Sequence, residues 1–569
     1  MNVLTKIRLL GHFAKWRLTW SRHDLDHRPV SLKNPKFMSA RHAMALIPDD
    51  AVCFSSGMAG NGRCSIFFWG IRERYLRTGH PKGLTWITVG AQGGRGKVPG
   101  TLEEICLPGL LTRHIGGHVE TKKALLKLVD AGQCELHTMP QGQQAFLLEA
   151  QARGEDSVVS MTAVGTFLDP RCGTGSLVKG EGRETFITPE GDALRFRLPK
   201  VEWVFFVASY ADEEGNLYVR NASTLTEIRG SVAAAKRNGG KVMATVCGII
   251  PKSPDEIYVH AEDVDAIVVN PHNEQTGSVP MRSFWPMFTV DSDMPAVEAI
   301  GRLKFLNHAA KITPSRGPVE DALARLGATV FTSASKPGAL VNIGVGMPEE
   351  VCRVVFEAGL TDDVTFMSET GVLGGLPAPG VFFGAAVCPK KMMGSVDVFH
   401  QSYESLDTTI LGVLQVDSEG NVNVSKRGPR ALDYVGPGGL PDLTAAAKNI
   451  LFVGSWQAGG KMAVQDGKMA ILQRGKPKFI EHVDEVTFCG RRALAMEKNV
   501  FYATNVGVFR LTERGMELIR VMPGIDIKRD VLDGCRMRVV LPDGDVPVVD
   551  ASILTGLGFN LAWHGGMAR

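Results

Sequence analysis

Short apolar runs with the look of buried strands alternate with helix-like stretches along almost the whole 569-residue chain. VEWVFFVASYAD (201–212) and GKVMATVCGII (240–250) are two such runs, and STLTEIRGSVAAAKRNGG (223–240) between them reads as a helix stopped by glycine. TILGVLQVD and ILFVGSW repeat the strand pattern later. Strands joined through helices become parallel neighbours, so this alternation predicts an α/β fold with largely parallel sheets. The length exceeds what one hydrophobic core organises. A break at KITPSRG, where Pro314 and Gly317 interrupt helical sequence, predicts two open α/β domains at 36–312 and 317–569, after an N-terminal extension 1–35. AVCFSSGMAGNG (51–62) and ALVNIGVGMPEE (339–350) share a rhythm of strand, glycine loop and helix, which marks the two domains as related halves.

Open parallel sheets gather ligands at the C-terminal ends of their strands. Glycine-rich loops follow strand-like runs at 57–62, 90–96, 342–347, 370–380 and 436–439, so the active site is expected at the interface of the two domains. VNIGVGMPEEV (341–351) is either an anion-holding turn before a helix or a plain tight βα turn; it is no dinucleotide fingerprint, because Glu349 stands where the third glycine is required. In SETGVLGGLPAPG (368–380), Glu369 directly follows the apolar run VTFM, and no basic residue lies nearer in sequence than Arg353 or Lys390. Such a carboxylate is either a structural group bonding backbone amides or a catalytic base or nucleophile. The glycines 371, 374, 375 and 380 favour the second reading, since they permit close approach of a bulky ligand.

The 63 basic and 60 acidic residues nearly balance, and aromatics make up 7% of the chain, so neither charge nor stacking surface points to nucleic acid. The ten cysteines are scattered with no C-x-x-C pair, which argues against a zinc ribbon and for a reduced, cytoplasmic protein. No apolar run approaches the roughly 20 residues of a membrane-spanning helix. The first 23 residues carry Lys6, Arg8, Lys15, Arg17 and Arg22 without an acid, and Leu9, Phe13, Trp16 and Trp20 fall at helical spacing. They read as a targeting peptide, a surface-lying helix, or a helix docked on the body or on a partner subunit.

SETGVLGG resembles the Ser-Glu-Asn-Gly stretch of the family I CoA-transferases. The resemblance continues through VNIGVGMPEEV, GLPAPGVFFGAA, LGVLQVDSEGNVNVSKRGPR, GPGGLPD and PGIDIKRDVL. In the first half it runs through GAQGGRGK, RHIGGH, MPQGQQ and GTFLDPRCGTGS. The single-chain arrangement is most similar to the propionate/acetate branch. The resemblance implies that Glu369 attacks an acyl-CoA, giving a mixed anhydride and then a glutamyl-CoA thioester, from which a second acid takes CoA. It implies Asn342 and the pair Gly438–Gly439 as oxyanion donors, and Gly344, Val345, Gly346 and Met347 as lining for the CoA channel. It also implies Gln141 near the acid substrate and Gly57, Gly60 and Gly62 in the acyl pocket. Turn chemistry or a surface loop accounts equally well for Gln141 and these three glycines. No cofactor beyond CoA as co-substrate and no metal is implied. The implied partners are acyl-CoA, small carboxylic acids of the acetate and propionate size, and further copies of the chain in a dimer or tetramer.

Three stretches depart from the family pattern. Tyr403, Glu404 and Ser405 stand where related enzymes carry a glycine run, a change expected to narrow or reshape the acyl or CoA channel. SSGMAGNGRC lacks the usual Pro-Glu, and CGTGS replaces a triple glycine. Two further readings follow from an altered pocket: an acyl-CoA hydrolase using the same glutamate, or a CoA-binding protein without turnover.

Overall fold

Two large sheets organise the chain. The computed structural model describes residues 1–94, 96–180, 185–272, 285–311, 315–378 and 380–564. Pro314 and the expected boundary at 312 lie outside the described residues, as do Arg95 of GAQGGRGK and Pro379 of GLPAPGVFFGAA. The first sheet has the strand order Ala266–Val269, Lys241–Val246, Trp203–Val207, Val52–Ser55, Leu84–Thr88, Leu111–Gly116, Glu135–Thr138, Leu177–Lys179. Its strands run parallel except for the last pair. Leu84–Thr88 and Ala266–Val269 are buried at every residue, as parallel strands covered on both faces must be.

The second sheet has ten strands, and its centre is again parallel: Thr365–Met367, Leu340–Ile343, Leu406–Leu411, Asn449–Val453, Asn499–Ala503. Antiparallel strands extend it on both sides. In each sheet the chain order reverses beside the first strand, between Val52–Ser55 and Trp203–Val207 in one and between Leu340–Ile343 and Leu406–Leu411 in the other. These switch points open crevices at the C-terminal strand ends.

The expected kinship of the halves has a second mark, which the sequence reading passed over. YADEEGNLYV and QVDSEGNVNV form matching small hairpins after equivalent strands. In the first, the Asp212 carboxylate accepts from the Asn216 backbone and side chain at 3.0 and 2.9 Å; in the second, Asp417 accepts from Asn421 at 3.0 and 3.1 Å. The two main hydrophobic cores follow the sheets but exchange residues: Ala145 packs in the second core, and Ala431 and Tyr434 pack in the first.

A smaller third core ties the extension to the body. The N-terminal helix Val3–Thr19 buries Leu9 against Trp285, Phe288, Ala299 and Leu306. Ala378, Phe382, Ala385 and Val387, from the segment after Glu369, complete the cluster. Among the described residues no helix is long and apolar enough to cross a membrane, and all ten cysteines are free thiols.

Glu369 owes its position to a tight turn. Met367 pairs with Leu373, the Ser368 N–H donates to the Val372 carbonyl at 3.0 Å, and the Gly371 N–H donates to Ser368 at 2.9 Å. The turn is backed by Lys391–Met392, which pairs with Val372–Leu373. Here the expectation about the glycine run needs correction. Gly371 has φ +94°, and a Cβ on it would lie 1.8 Å from the Met393 carbonyl oxygen. Gly374 and Gly375 pack in the same way on Lys390 and on the Val387 carbonyl. These three glycines let strands close around the turn and do not line the cavity described below; of the run, only Gly380 does. Gly371→Ala is expected to cost at least about 2 kcal/mol, read as a lower denaturation midpoint. Gly359→Ala, with φ +74° but nothing within 4 Å of its Cβ, is the control and should cost only about 1 kcal/mol.

Candidate functional site

A cavity of about 670 Å³ opens at the strand ends between the two sheets. The first half lines it with Met58, Gly60, Arg63 and Gly93, the second with Gly344, Leu411 to Leu414, Gly438 and Gly439. Glu369 lines it from its turn, and Trp16, Arg17 and Trp20 line it from the N-terminal helix and the residue after it.

Glu369 is buried, 7% exposed, and its Oε2 has no hydrogen-bond partner among the described residues. Burial pushes its carboxyl pKa up; its own backbone N–H and the side chains of Asn342 and Ser368 oppose that rise. Asn342 is fully buried on the neighbouring strand. Its Oδ1 accepts the Thr409 hydroxyl at 3.1 Å, which turns its amide nitrogen toward the Met367–Glu369 segment, where it lies 3.5 Å from the Met367 carbonyl. Thr409 therefore sets the orientation of this amide.

The segment Val435–Gly439 crosses to the first half. The Gly438 N–H donates to the Gly117 carbonyl at 2.9 Å, the Gln141 N–H donates to the Gly438 carbonyl at 3.1 Å, and the Val119 N–H donates to Val435 at 2.9 Å. A Cβ on Gly439 would stand 3.2 Å from Glu369 Oε1 and 3.1 Å from Gln141 Oε1, so both side chains rest on this bare Cα. Within the expected oxyanion pair the two amides thus differ. The Gly438 N–H is engaged by Gly117, whereas no bond from the Gly439 N–H is seen among the described residues.

Asp442, in the same GPGGLPD stretch, fastens the crossing. It is buried and accepts from the Gly142 N–H at 2.7 Å, the Gln143 side-chain amide at 2.9 Å and the Tyr403 hydroxyl at 3.1 Å. Burial raises its pKa to about 6, against the pull of these donors. Tyr403 also shares a 2.5 Å hydrogen bond with Thr162. The expected narrowing of the channel by Tyr403, Glu404 and Ser405 is thereby corrected: they end the helix Ser395–Ser405, none lines the cavity, and Tyr403 holds the halves together.

Of the residues singled out by sequence, Glu369, Gly438, Gly439, Gly344, Val345, Gln141 and Gly60 line the one cavity. Asn342 sits directly behind Glu369. Gly346 caps the helix Met347–Glu357 and Met347 begins it, and neither faces the cavity. Gly57 and Gly62 also lie off it; Gly57 is held by Gln92, whose side-chain amide donates to its carbonyl at 3.2 Å, and by Glu227, which accepts its N–H at 3.3 Å. Sequence reasoning passed over Gln92, Glu227 and the role of Asp442. Each is one polar residue within a stretch already singled out for other residues, and only the fold assigns it partners. Among the described residues no group of three or more His, Cys, Asp or Glu is gathered so as to hold a metal ion.

No family model matches the chain. Over 509 residues it is 30% identical to the caffeate CoA-transferase of Acetobacterium woodii, covering 88% of this chain and 93% of that one. Over 513 residues it is 29% identical to the acetate CoA-transferase YdiF of Escherichia coli K12, covering 87% and 91%. The acyl-CoA transferase YdiF of Escherichia coli O157:H7, solved as a thioester complex with CoA, superposes with a TM-score of 0.78 at 25% identity, over 91% of this chain and 95% of that one.

The raised pKa of Glu369 has a consequence for stability. A carboxyl group whose folded pKa exceeds its unfolded value stabilises the native state below the unfolded pKa and loses that contribution as pH rises through the folded one. Ionised Glu369 therefore burdens the fold at neutral pH. Glu369→Gln is expected to raise the melting temperature at pH 7 to 8, by about 1 °C for each kcal/mol gained in a chain of this size. The gain should vanish by about pH 4, near the ordinary carboxyl value. A melting curve that is no higher for the variant at pH 8 contradicts it.

Proposed function

The chain belongs to the CoA-transferases, and on that premise we propose that Glu369 is the nucleophile through which it moves CoA from an acyl-CoA to a carboxylic acid. The observation that carries this reading is the buried Glu369 carboxylate on the cavity wall with an unpartnered oxygen. Glu369 attacks the thioester carbonyl; the C–S bond breaks, leaving an acyl-glutamyl anhydride and the CoA thiolate. The thiolate attacks the glutamyl carbonyl, forming the glutamyl-CoA thioester and releasing the first acid as carboxylate. A second carboxylate attacks that thioester, and the same two steps in reverse return Glu369 and release the new acyl-CoA. A carboxylate is ionised without a partner base, and a thiolate leaves without a proton, so neither a Ser-His pair nor a metal is required. CoA enters only as co-substrate.

Burial raises the energy of the ionised carboxylate, which strengthens it as a nucleophile. The same burial protects the anhydride and the thioester from water. Each tetrahedral intermediate needs a donor for its oxyanion, worth about 3–4 kcal/mol. The Gly439 N–H, unbonded among the described residues, and the Asn342 amide, oriented by Thr409, are suited to that task, and Gly438 serves to hold the strand. Gly344 and Val345 flank the path for CoA, with Gly346 and Met347 shaping the turn behind them. Gln141, resting beside Glu369 on Gly439, is suited to receive the acid's carboxylate. Gly60, beside Met58, belongs to the acyl side, with Gly57 and Gly62 holding its loop. Short-chain acids such as acetate and propionate are the proposed substrates. Ten free thiols fit a reducing cytoplasm.

Incubation with acetyl-CoA alone, followed by proteolysis and mass analysis, is expected to find a CoA adduct on the peptide containing Glu369. Glu369→Ala should form no adduct and lose at least about a thousandfold in transfer to propionate, and Asn342→Ala should lose about 10²–10³-fold in kcat. Unimpaired transfer by Glu369→Ala overturns the reading, and release of free CoA at the transfer rate without acceptor acid points instead to hydrolysis.

A further inference from the structure

We infer that the end of the N-terminal helix seats the adenine nucleotide half of coenzyme A, with Trp16 and Trp20 offering stacking faces and Arg17 and Lys97 meeting the phosphates. This rests on the reading of CoA as substrate and extends it to a segment with no part in the chemistry.

The first observation is position. Trp16, Arg17 and Trp20 line the same cavity as Glu369. Glu369 is buried, whereas Arg17 and Lys97 on the same cavity are exposed. The sulfur of CoA must reach Glu369, so the nucleotide at the other end of this long molecule lies toward the exposed part of the wall.

The second observation is chemistry. The Arg17 guanidinium lies 3.8 Å from the centroid of the Trp20 ring and 5.8 Å from that of Trp16, and the two indoles meet edge to face at 5.7 Å. Neither Arg17 nor Lys97 forms an ion pair among the described residues. The first 23 residues contain no acid at all. The Trp16 Nε1 is buried without an acceptor among the described residues. Indole faces stack on a purine, and cations outside ion pairs bind phosphate oxygens. An acyl group of two or three carbons needs neither.

The third observation is attachment. Leu9 anchors the helix in the third core, and His12 meets the Trp285 ring edge to face at 6.1 Å. The helix is thus held on the segment that follows the Glu369 turn, with its last turn presented to the cavity.

The test compares donors on the full chain. Relative to the parent, Trp20→Ala and Arg17→Ala are expected to raise KM for acetyl-CoA about tenfold or more. The penalty should disappear with S-acetylpantetheine, which lacks the nucleotide, and Trp20→Phe should recover most of the loss. Independently of turnover, 3′,5′-ADP is expected to quench the tryptophan fluorescence of the parent and of Glu369→Ala, and not that of the double variant Trp16→Ala/Trp20→Ala. An equal penalty with both donors, or quenching that survives in Trp16→Ala/Trp20→Ala, overturns the inference. If 3′,5′-ADP binds and no acyl-CoA is turned over, the seat stands and the proposed activity fails.

Discussion

The site exists because a backbone seam joins two sheets that have separate cores. Gly117, Val119, Gln141 and Gly142 of the first half meet Val435, Gly438 and Asp442 of the second through main-chain and carboxylate hydrogen bonds. Main-chain bonds fix position more tightly than long side chains do, because no rotamer freedom intervenes. Gly439, next in chain to the bonded Gly438, is thereby held against Glu369, and Gln141 is set beside it. Loss of Asp442 would leave the Gly142 amide without its acceptor, at about 1–3 kcal/mol if it stays buried, and would leave the Gln143 amide and the Tyr403 hydroxyl only each other and Thr162. A residue outside the cavity thus governs the spacing of groups within it.

This arrangement carries a built-in expense. Taking a carboxylate out of water without a cation destabilises its ionised form, and no ion pair to Glu369 is present among the described residues. Three compensations, from its own amide, Asn342 and Ser368, act against that burial. A lysine or arginine at the same place would stabilise the charge. The tight turn of Ser368 to Gly371, closed by strands on both sides, supplies in rigidity what the missing counter-ion would supply in charge.

Much of this was legible in the chain. Strand and helix alternation gave the layers, and the position of Glu369 after VTFM gave the carboxylate at a strand end. Glycine, however, was ambiguous. The same residue type that bares Gly439 for Glu369 also admits Met393 against Gly371, and no local pattern separates a glycine that faces a ligand from one that faces a neighbouring strand. Tyr403 was misread for a related reason. A bulky residue in place of glycine suggests a blocked channel only if that position lines the channel, and here it faces Thr162 and Asp442. Partners some 240 to 300 residues away in sequence, such as Gly142 for Asp442, leave no trace in local periodicity.

The two related halves also explain why one glutamate and not another is exposed to the cavity. Glu227 of the first half is as deeply buried as Glu369, and the backbone ties them closely: the Thr226 N–H donates to the Thr370 carbonyl at 3.2 Å. Burial raises both pKa values, so titration alone does not distinguish them. Hydrogen bonding does. The Glu227 carboxylate accepts the Ser56 hydroxyl at 3.1 Å and the Gly57 N–H at 3.3 Å on one oxygen, and the Ser395 hydroxyl at 3.0 Å on the other. With both oxygens engaged, its lone pairs are committed to holding the first glycine loop against the second half. Glu369 has one oxygen without a partner among the described residues, on a cavity wall. Of two buried carboxylates at one interface, the satisfied one clasps the halves together, and the one with an unpartnered oxygen among the described residues faces the cavity.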